Sequence, residues 1–254
     1  ELVSAAGLLD GEKWVRIYPI PYTLLTDDSK YKKYSYIELD LIRNRKDFRP
    51  ESYLPLRGLD EEIKVVEKLS TIRGLTGRKN LVLREIFTSM HELIALAKGK
   101  EKKSLATLKP LEIIDFVIED DDRRWKEKWL VQAKQGNFFE ILESESPRKG
   151  PYPVRKLPYR YYYRFLSQGD VNPRKLMIAD WELGTMFWNC LKITAGDEQA
   201  ANLLVRQKYL DGLRDKNDLY FFLGTSRLHH NVSPNPFTII GVFLPPQAMQ
   251  PSLF

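Results

Sequence analysis

Hydrophobic and polar residues alternate with a period of two near the start of the chain. In KWVRIYPI, Trp14, Arg16 and Tyr18 fall on one face and Val15 and Ile17 on the other, the pattern of a half-buried strand. The preceding ELVSAAGLL forms a second extended run, and Asp10-Gly11 between them is a hairpin signal. YSYIELDLIR alternates as well, with Tyr36, Glu38, Asp40 and Ile42 opposite Ile37, Leu39 and Leu41. From Leu59 the period changes. DEEIKVVEKLSTI spaces Ile63, Val66 and Leu69 for a helix with Asp60 as N-cap, and LREIFTSMHELIALAKG predicts another, closed by Gly99. LEIIDFVIED reads as a strand and DDDRRWKEKWLVQAKQG as a short helix of opposed charges. YRYYYRFL is an aromatic-dense strand, and KLMIADWELGTMFWNCLK a strand running into a helix. A helix starting at Asp197 and the strands DLYFFLGT and PFTIIGVFL complete the series.

Strands do not alternate regularly with helices, which argues against a doubly wound parallel sheet, and the strand content argues against a helical bundle. The predicted class is α+β and β-rich, with small OB-like barrels carrying inserted helices and a C-terminal strand-helix-helix-strand-strand unit. Residues 143–158, ESESPRKGPYPVRKLP, are rich in Pro, Ser and charge and mark a linker. The expected organisation is a β-rich region over 1–142, that linker, an α+β region over 159–246 and a tail over 247–254.

Composition narrows the function classes. The 254 residues carry a net charge of +6, which permits phosphate contacts without demanding them, and 12% are aromatic, which suits strands and stacking surfaces. No apolar run reaches the length of about 18 residues needed for a membrane helix, so no membrane partner is expected. Cys190 is the single cysteine, so neither an internal disulfide nor a thiolate metal cluster is expected, and a reducing cytoplasm is the expected location. His91, His229 and His230 have no metal-ligand spacing, and no metal or cofactor is expected. G-x-x-x-x-G-K-[ST], G-x-G-x-x-G and G-x-S-x-G are all missing.

Two stretches interleave cations with aromatics, as a single-strand binding groove requires: KYKKYSY and RKLPYRYYYRF. In the second, Arg160, Tyr162 and Arg164 share one strand face. Together with Trp14, Arg16, Tyr36, Arg43, Arg45, Lys46 and Arg49 they are the candidate nucleic-acid contacts. A competing reading is a Mg²⁺-dependent nuclease: IIDFVIEDDD offers Asp115 and Glu119, and WLVQAKQ offers Lys134, although Gln132 stands where a second metal-binding carboxylate belongs. A third is an accessory subunit that binds protein and touches no nucleic acid. The Asp180 and Glu182 pair is read as capping a helix N-terminus.

Gln250-Pro251-Ser252-Leu253-Phe254 resembles the pentapeptide with which bacterial DNA-processing proteins dock onto the sliding clamp. That resemblance implies polar contacts from Gln250, with Ser252 also in the docking segment and Leu253 and Phe254 filling an apolar pocket. The blocks WVRIYPIPY, YSYIELDL, FRPESY, KSLATLKPLEIIDFVIE, DWEL and PFTIIGVF resemble those of an uncharacterised bacterial family spanning nearly the whole chain. The first blocks are distantly similar to dual-OB-containing domains of bacterial defence loci, although WVRIYP stands where that group has tryptophan-isoleucine-arginine-proline. The resemblance implies two small barrels, at 1–57 and 104–140, and carries over no catalytic residue. The resulting expectation is a non-enzymatic bacterial protein bound to DNA, preferentially single-stranded, acting as sensor or adaptor in antiviral defence or DNA repair. Its expected partners are the sliding clamp and a defence-system subunit.

Overall fold

The computed structural model describes residues 3–9, 13–22, 25–26, 29–68, 79, 82–83, 85–125, 155–211 and 219–244. The fold is α+β and rich in strands. β1 (Val3–Leu9) and β2 (Lys13–Ile20) pair antiparallel with Leu9 opposite Lys13, the hairpin that the alternation predicts. β3 (Ser35–Glu38) and β4 (Leu41–Arg43) are separate strands, so the single run expected across 34–43 is broken at Leu39 and Asp40. β5 (Ser52–Pro55) joins β2 in parallel and β4 antiparallel, giving the sheet order β1-β2-β5-β4. Val15, Ile17 and Ile20 on its inner face pack with Ile63 into a small core.

The helix expected from Asp60 is not formed: Lys64–Lys68 is strand β6, antiparallel to β3. Val65 and Val66 are β-branched and prefer extended backbone, and the edge of β3 supplies ladder hydrogen bonds that an isolated helix would lack. β7 (Ile86–Phe87) then takes the front of the second predicted helix, which begins only where Ser89 caps α1 (Met90–Lys98) by accepting from the Glu92 amide.

The larger core lies in the remainder. β8 (Leu105–Leu108) pairs with β12 (Tyr220–Thr225), which pairs with β13 (Phe237–Phe243), in the order β13-β12-β8-β7. β9 (Glu112–Asp120), β10 (Tyr159–Leu166) and β11 (Arg174–Met177) form a second antiparallel sheet, stitched to the first by a parallel bridge between Ile178 and Ile239. α2 (Trp181–Ile193) and α3 (Glu198–Arg206) cover these sheets, so the strand-helix-helix-strand-strand order is observed. Among the described residues the sheets are open and no barrel closes, at 1–57 or at 104–120. Residues on both sides of 143–158 share one core, because β9 lies against β10. No helix among the described residues is long and apolar enough to cross a membrane.

Aromatic packing dominates that core. Phe221 is fully buried, with its ring 5.1 Å from Tyr163 and 5.2 Å from Phe165. Replacing Phe221 with Ala removes this hub, and urea denaturation should register a loss of about 3–5 kcal/mol. A loss within experimental error would show that the two sheets do not depend on it.

Candidate nucleic-acid interface

Three loops meet on one side of the molecule: 44–51 after β4, 98–104 after α1, and 226–236 between β12 and β13. Their conformations follow from a buried polar network. Arg16, on β2, is 8% exposed and reaches away from its own sheet, donating to Ser104 Oγ at 2.8 Å and to the carbonyls of Ser104 and Thr225, both at 3.2 Å. Arg49 is 7% exposed and donates to the same Thr225 carbonyl at 2.6 Å. A carbonyl oxygen has two lone pairs, and two guanidiniums occupy this one.

Asp47 holds Arg49 in place. Its carboxylate accepts from Arg49 Nε and Nη2, from the Arg49 amide and from Ser52 Oγ. Burial alone would raise its pKa, but these bonds outweigh burial and hold the carboxyl well below its ordinary range. Arg16 shifts the other way, pushed down to about 10 by burial and by the neighbouring Arg49 charge. Arg43 is also spent internally, donating to the carbonyls of Asn44, Ser52, Asp47 and Arg49 while lying over the Tyr53 ring. Glu51 accepts from the Ser104 amide and hydroxyl, which ties the first loop to the second.

His230 ties the third. Its Nε2 lies 2.9 Å from the Ala97 carbonyl, which can only accept, so Nε2 carries the proton and Nδ1 accepts from Thr225 Oγ1 at 2.7 Å. Burial lowers the His230 pKa, which keeps this neutral tautomer. The Phe48 ring packs edge-on against it at 5.1 Å, and Lys98 donates to the carbonyls of His230, Asn231 and Ser233. The network fixes the loops, and their exposed side chains form its rim. Arg45, Lys46, Lys100 and Arg227 are exposed and in no ion pair among the described residues. Beside them stand exposed His229 and Phe48, the latter 40% exposed. Glu101 is the exposed carboxylate on these loops.

The expected contact residues therefore divide. Arg45 and Lys46 are on the rim. Arg16, Arg43 and Arg49 are not available for phosphate, because their donors are committed inside the protein. Trp14 is half-buried, with its indole edge-on to Phe222 at 5.4 Å, which corrects its expected role as an open stacking face. Tyr36 is exposed, but on the separate β3–β6 ribbon. Arg160, Tyr162 and Arg164 do share the outer face of β10, and the opposite face, Tyr161, Tyr163 and Phe165, is core. That outer face is not a basic platform. Arg160 pairs with Asp121 at 2.7 Å, Lys175 covers the Tyr162 ring at 4.2 Å while pairing with Glu119, and Asp115 stands opposite Arg164.

The same geometry corrects the nuclease reading. Asp115 and Glu119 are four residues apart on one strand, which separates them by about 13 Å, too far to share an ion. Asp115 pairs with Arg206 at 2.7 Å and Glu119 with Lys175. No group of three or more His, Cys, Asp or Glu among the described residues is arranged to hold a metal. Lys134 lies outside the described residues, as do Gln250, Ser252, Leu253 and Phe254. Sequence reading left out Lys100, Arg227 and His229. KGKEKKS was readable as basic, but nothing local showed that it would meet RNRKDF and SRLHH in space.

Replacing Arg49 with Ala would strand Asp47 as a buried, unpaired charge, and urea denaturation should show about 3–5 kcal/mol of destabilisation. Asp47 titrates lower in the folded than in the unfolded chain, so its contribution is complete above about pH 4 and is lost as pH falls through the folded-state value. The Asp47→Asn variant should accordingly lose less stability than the unmodified chain between neutral and acid pH. Equal acid sensitivity would remove Asp47 from the account.

Searches of curated proteins and of solved structures each found no match. Two family models cover the chain and meet between α1 and the ribbon before it: residues 1–84 match a domain of unknown function (DUF8758) and residues 86–254 another (DUF8757). The network just described therefore joins the two matched segments, with Arg16 and Arg49 contributed by the first and Thr225 by the second. Since its model matches well over half of the sequence, the chain belongs to the family described as domain of unknown function DUF8757.

Proposed function

We propose that this protein is a non-enzymatic nucleic-acid-binding module that holds single-stranded DNA across the rim of the three loops. One observation carries the reading: exposed Arg45, Lys46, Lys100 and Arg227 converge on loops made rigid by buried arginines, with Phe48 beside them. Phosphate attracts the cations without regard to sequence, and an anchored, partly exposed aromatic ring offers stacking at little entropic cost. Preorganisation matters here, since loops already fixed by internal bonds lose little freedom on binding. A cytoplasmic setting fits the single, buried Cys190.

Fluorescence anisotropy with a labelled oligothymidylate about 20 nucleotides long tests this directly. Binding should weaken steeply with salt, and each phosphate contact removed should flatten the logarithmic slope by about 0.7. Reversing Arg45 and Lys46 to Glu should abolish most of the affinity, whereas reversing Arg160 and Arg164 should change it little. Affinity that ignores salt, or survives the Arg45–Lys46 reversal, would reject the rim and favour a protein partner for the exposed Leu228 and Val232.

Recruitment to the sliding clamp is the second part of the proposal, resting on the residues Gln250, Ser252, Leu253 and Phe254 and their likeness to clamp-docking peptides. It makes the protein an adaptor at replicating DNA, in defence or repair. Substituting Ala for both Leu253 and Phe254 should eliminate pull-down by a bacterial sliding clamp and leave oligonucleotide binding intact. Undiminished pull-down would dismiss the tether while sparing the rim.

A further inference from the structure

The connection between β12 and β13 carries a feature that phosphate binding leaves unused. Residues 226–233 wind through two overlapping turns, in which the His230 amide donates to the Ser226 carbonyl at 3.0 Å and the Ser233 amide to the His229 carbonyl at 2.9 Å. Leu228 and Val232 lie in this winding, four positions apart, the spacing that brings two side chains to one side of a helical turn. Leu228 is 73% exposed and Val232 80%. Aliphatic residues exposed singly are ordinary on a protein surface, but these two make a ridge.

The fold holds the ridge outward. His230 lies midway between the two aliphatic residues and is fully buried, with Nδ1 accepting from Thr225 Oγ1 and Nε2 donating to the Ala97 carbonyl. At about 3.6 residues per turn, side chains two positions before and two after a given residue point roughly 160° away from it. Burying the imidazole therefore turns Leu228 and Val232 to solvent. Lys98 fixes the backbone between and beside them through the carbonyls of His230, Asn231 and Ser233, and Ser226 Oγ accepts from the His229 amide. The setting is cationic. Arg227 precedes Leu228, and exposed Arg45, Lys46 and Lys100 stand on the two neighbouring loops.

An apolar ridge among exposed cations matches a partner that carries anionic groups around a flat apolar face. The opened end of a nucleic-acid duplex has that form, with phosphates at its perimeter and the last base pair in the middle. We propose, resting on the single-strand reading above, that Leu228 and Val232 form a wedge against the base pair at which a duplex opens into a single strand. The substrate is then a junction between double and single strands. The rim cations hold the single-stranded arm, and the two aliphatic side chains take the place of the next base in the stack. Apolar side chains inserted at a base step unstack it, and a wedge on a pinned turn loses little freedom in doing so.

The experiment gives the full chain an oligothymidylate, either free or as the tail of a hairpin duplex, with 2-aminopurine placed at the junction base or in the duplex interior. The tailed hairpin should bind about tenfold more tightly than the free tail, the scale of burying one aliphatic side chain. The junction base should brighten and the interior base should not. Substituting Ser for both Leu228 and Val232 should erase the brightening and most of the preference, and leave oligothymidylate affinity within about twofold, as exposed substitutions ordinarily do. If that double variant does not fold, the unsubstituted chain still decides, because brightening confined to the junction base supports the wedge and equal or absent brightening overturns it. Failure to bind oligothymidylate at all would dismiss the rim and the wedge together. Salt-dependent oligothymidylate binding without junction brightening, or brightening that persists in the double variant, would remove the wedge alone. Retention on phosphatidylserine vesicles that the double variant loses, with no junction brightening, would assign the ridge to a lipid surface instead.

Discussion

The carbonyl of Thr225 receives two guanidiniums, and the rest of the arrangement follows from that shared acceptor. Arg16 belongs to a β-strand of the first matched segment and Arg49 to a loop of the same segment. Thr225 ends the central strand β12 of the larger core. Burying two cations is costly unless each donor finds a partner, and the partners here lie on both sides of the junction. Among the described residues Asp47 supplies the full counter-charge in contact with Arg49, while carbonyls and the Ser104 hydroxyl do the remainder. The two segments are consequently held in one registration by directional bonds that a purely apolar contact would not impose.

That organisation explains why the backbone beneath the basic rim has little freedom to lose. Loop 44–51 has its backbone fixed by Asp47, Arg43 and Glu51, so Arg45 and Lys46 project from a stiff base. Loop 226–236 is pinned at His230 and by three bonds from Lys98. The outer face of β10 is built on another plan. Arg160 there and Lys175 on the adjoining β11 are matched by carboxylates from β9 and the turn after it, which suits a solvated sheet surface rather than a track for phosphate.

Much of the framework was legible in the chain itself. YRYYYRFL alternates so strictly that strand β10 and its buried face could be named residue by residue, and Asp180 and Asp197 cap their helices as their spacing implies. Segment 61–68 was misread because Ile63 and Val66 fit a helical spacing over a window too short to separate the two periods. The pairing strand that decides the matter, Ser35–Glu38, lies some thirty positions earlier. The site was less legible than the fold. Arg16, Arg43 and Arg49 look like surface cations by residue type, and only Asp47 two positions before Arg49 hints that one of them is neutralised locally. Nothing in sequence distance connects either Arg16 or Arg49 to Thr225, and no local pattern places Lys33 beside Glu182.

The separation between Arg16 and its acceptor also governs when the molecule can first close. During synthesis, 209 positions pass between the two partners, which at about 5–20 residues per second amounts to roughly 10–40 s. For that interval the emerging β2 hairpin carries a cation destined for the interior, and β8, made partway through it, lacks its neighbour β12 until the end. A nascent chain of this kind presents an open sheet edge and uncovered aromatic side chains until nearly the last strand has left the ribosome. The order in which the strands are made thus leaves that edge of β8 unpaired until β12 is complete.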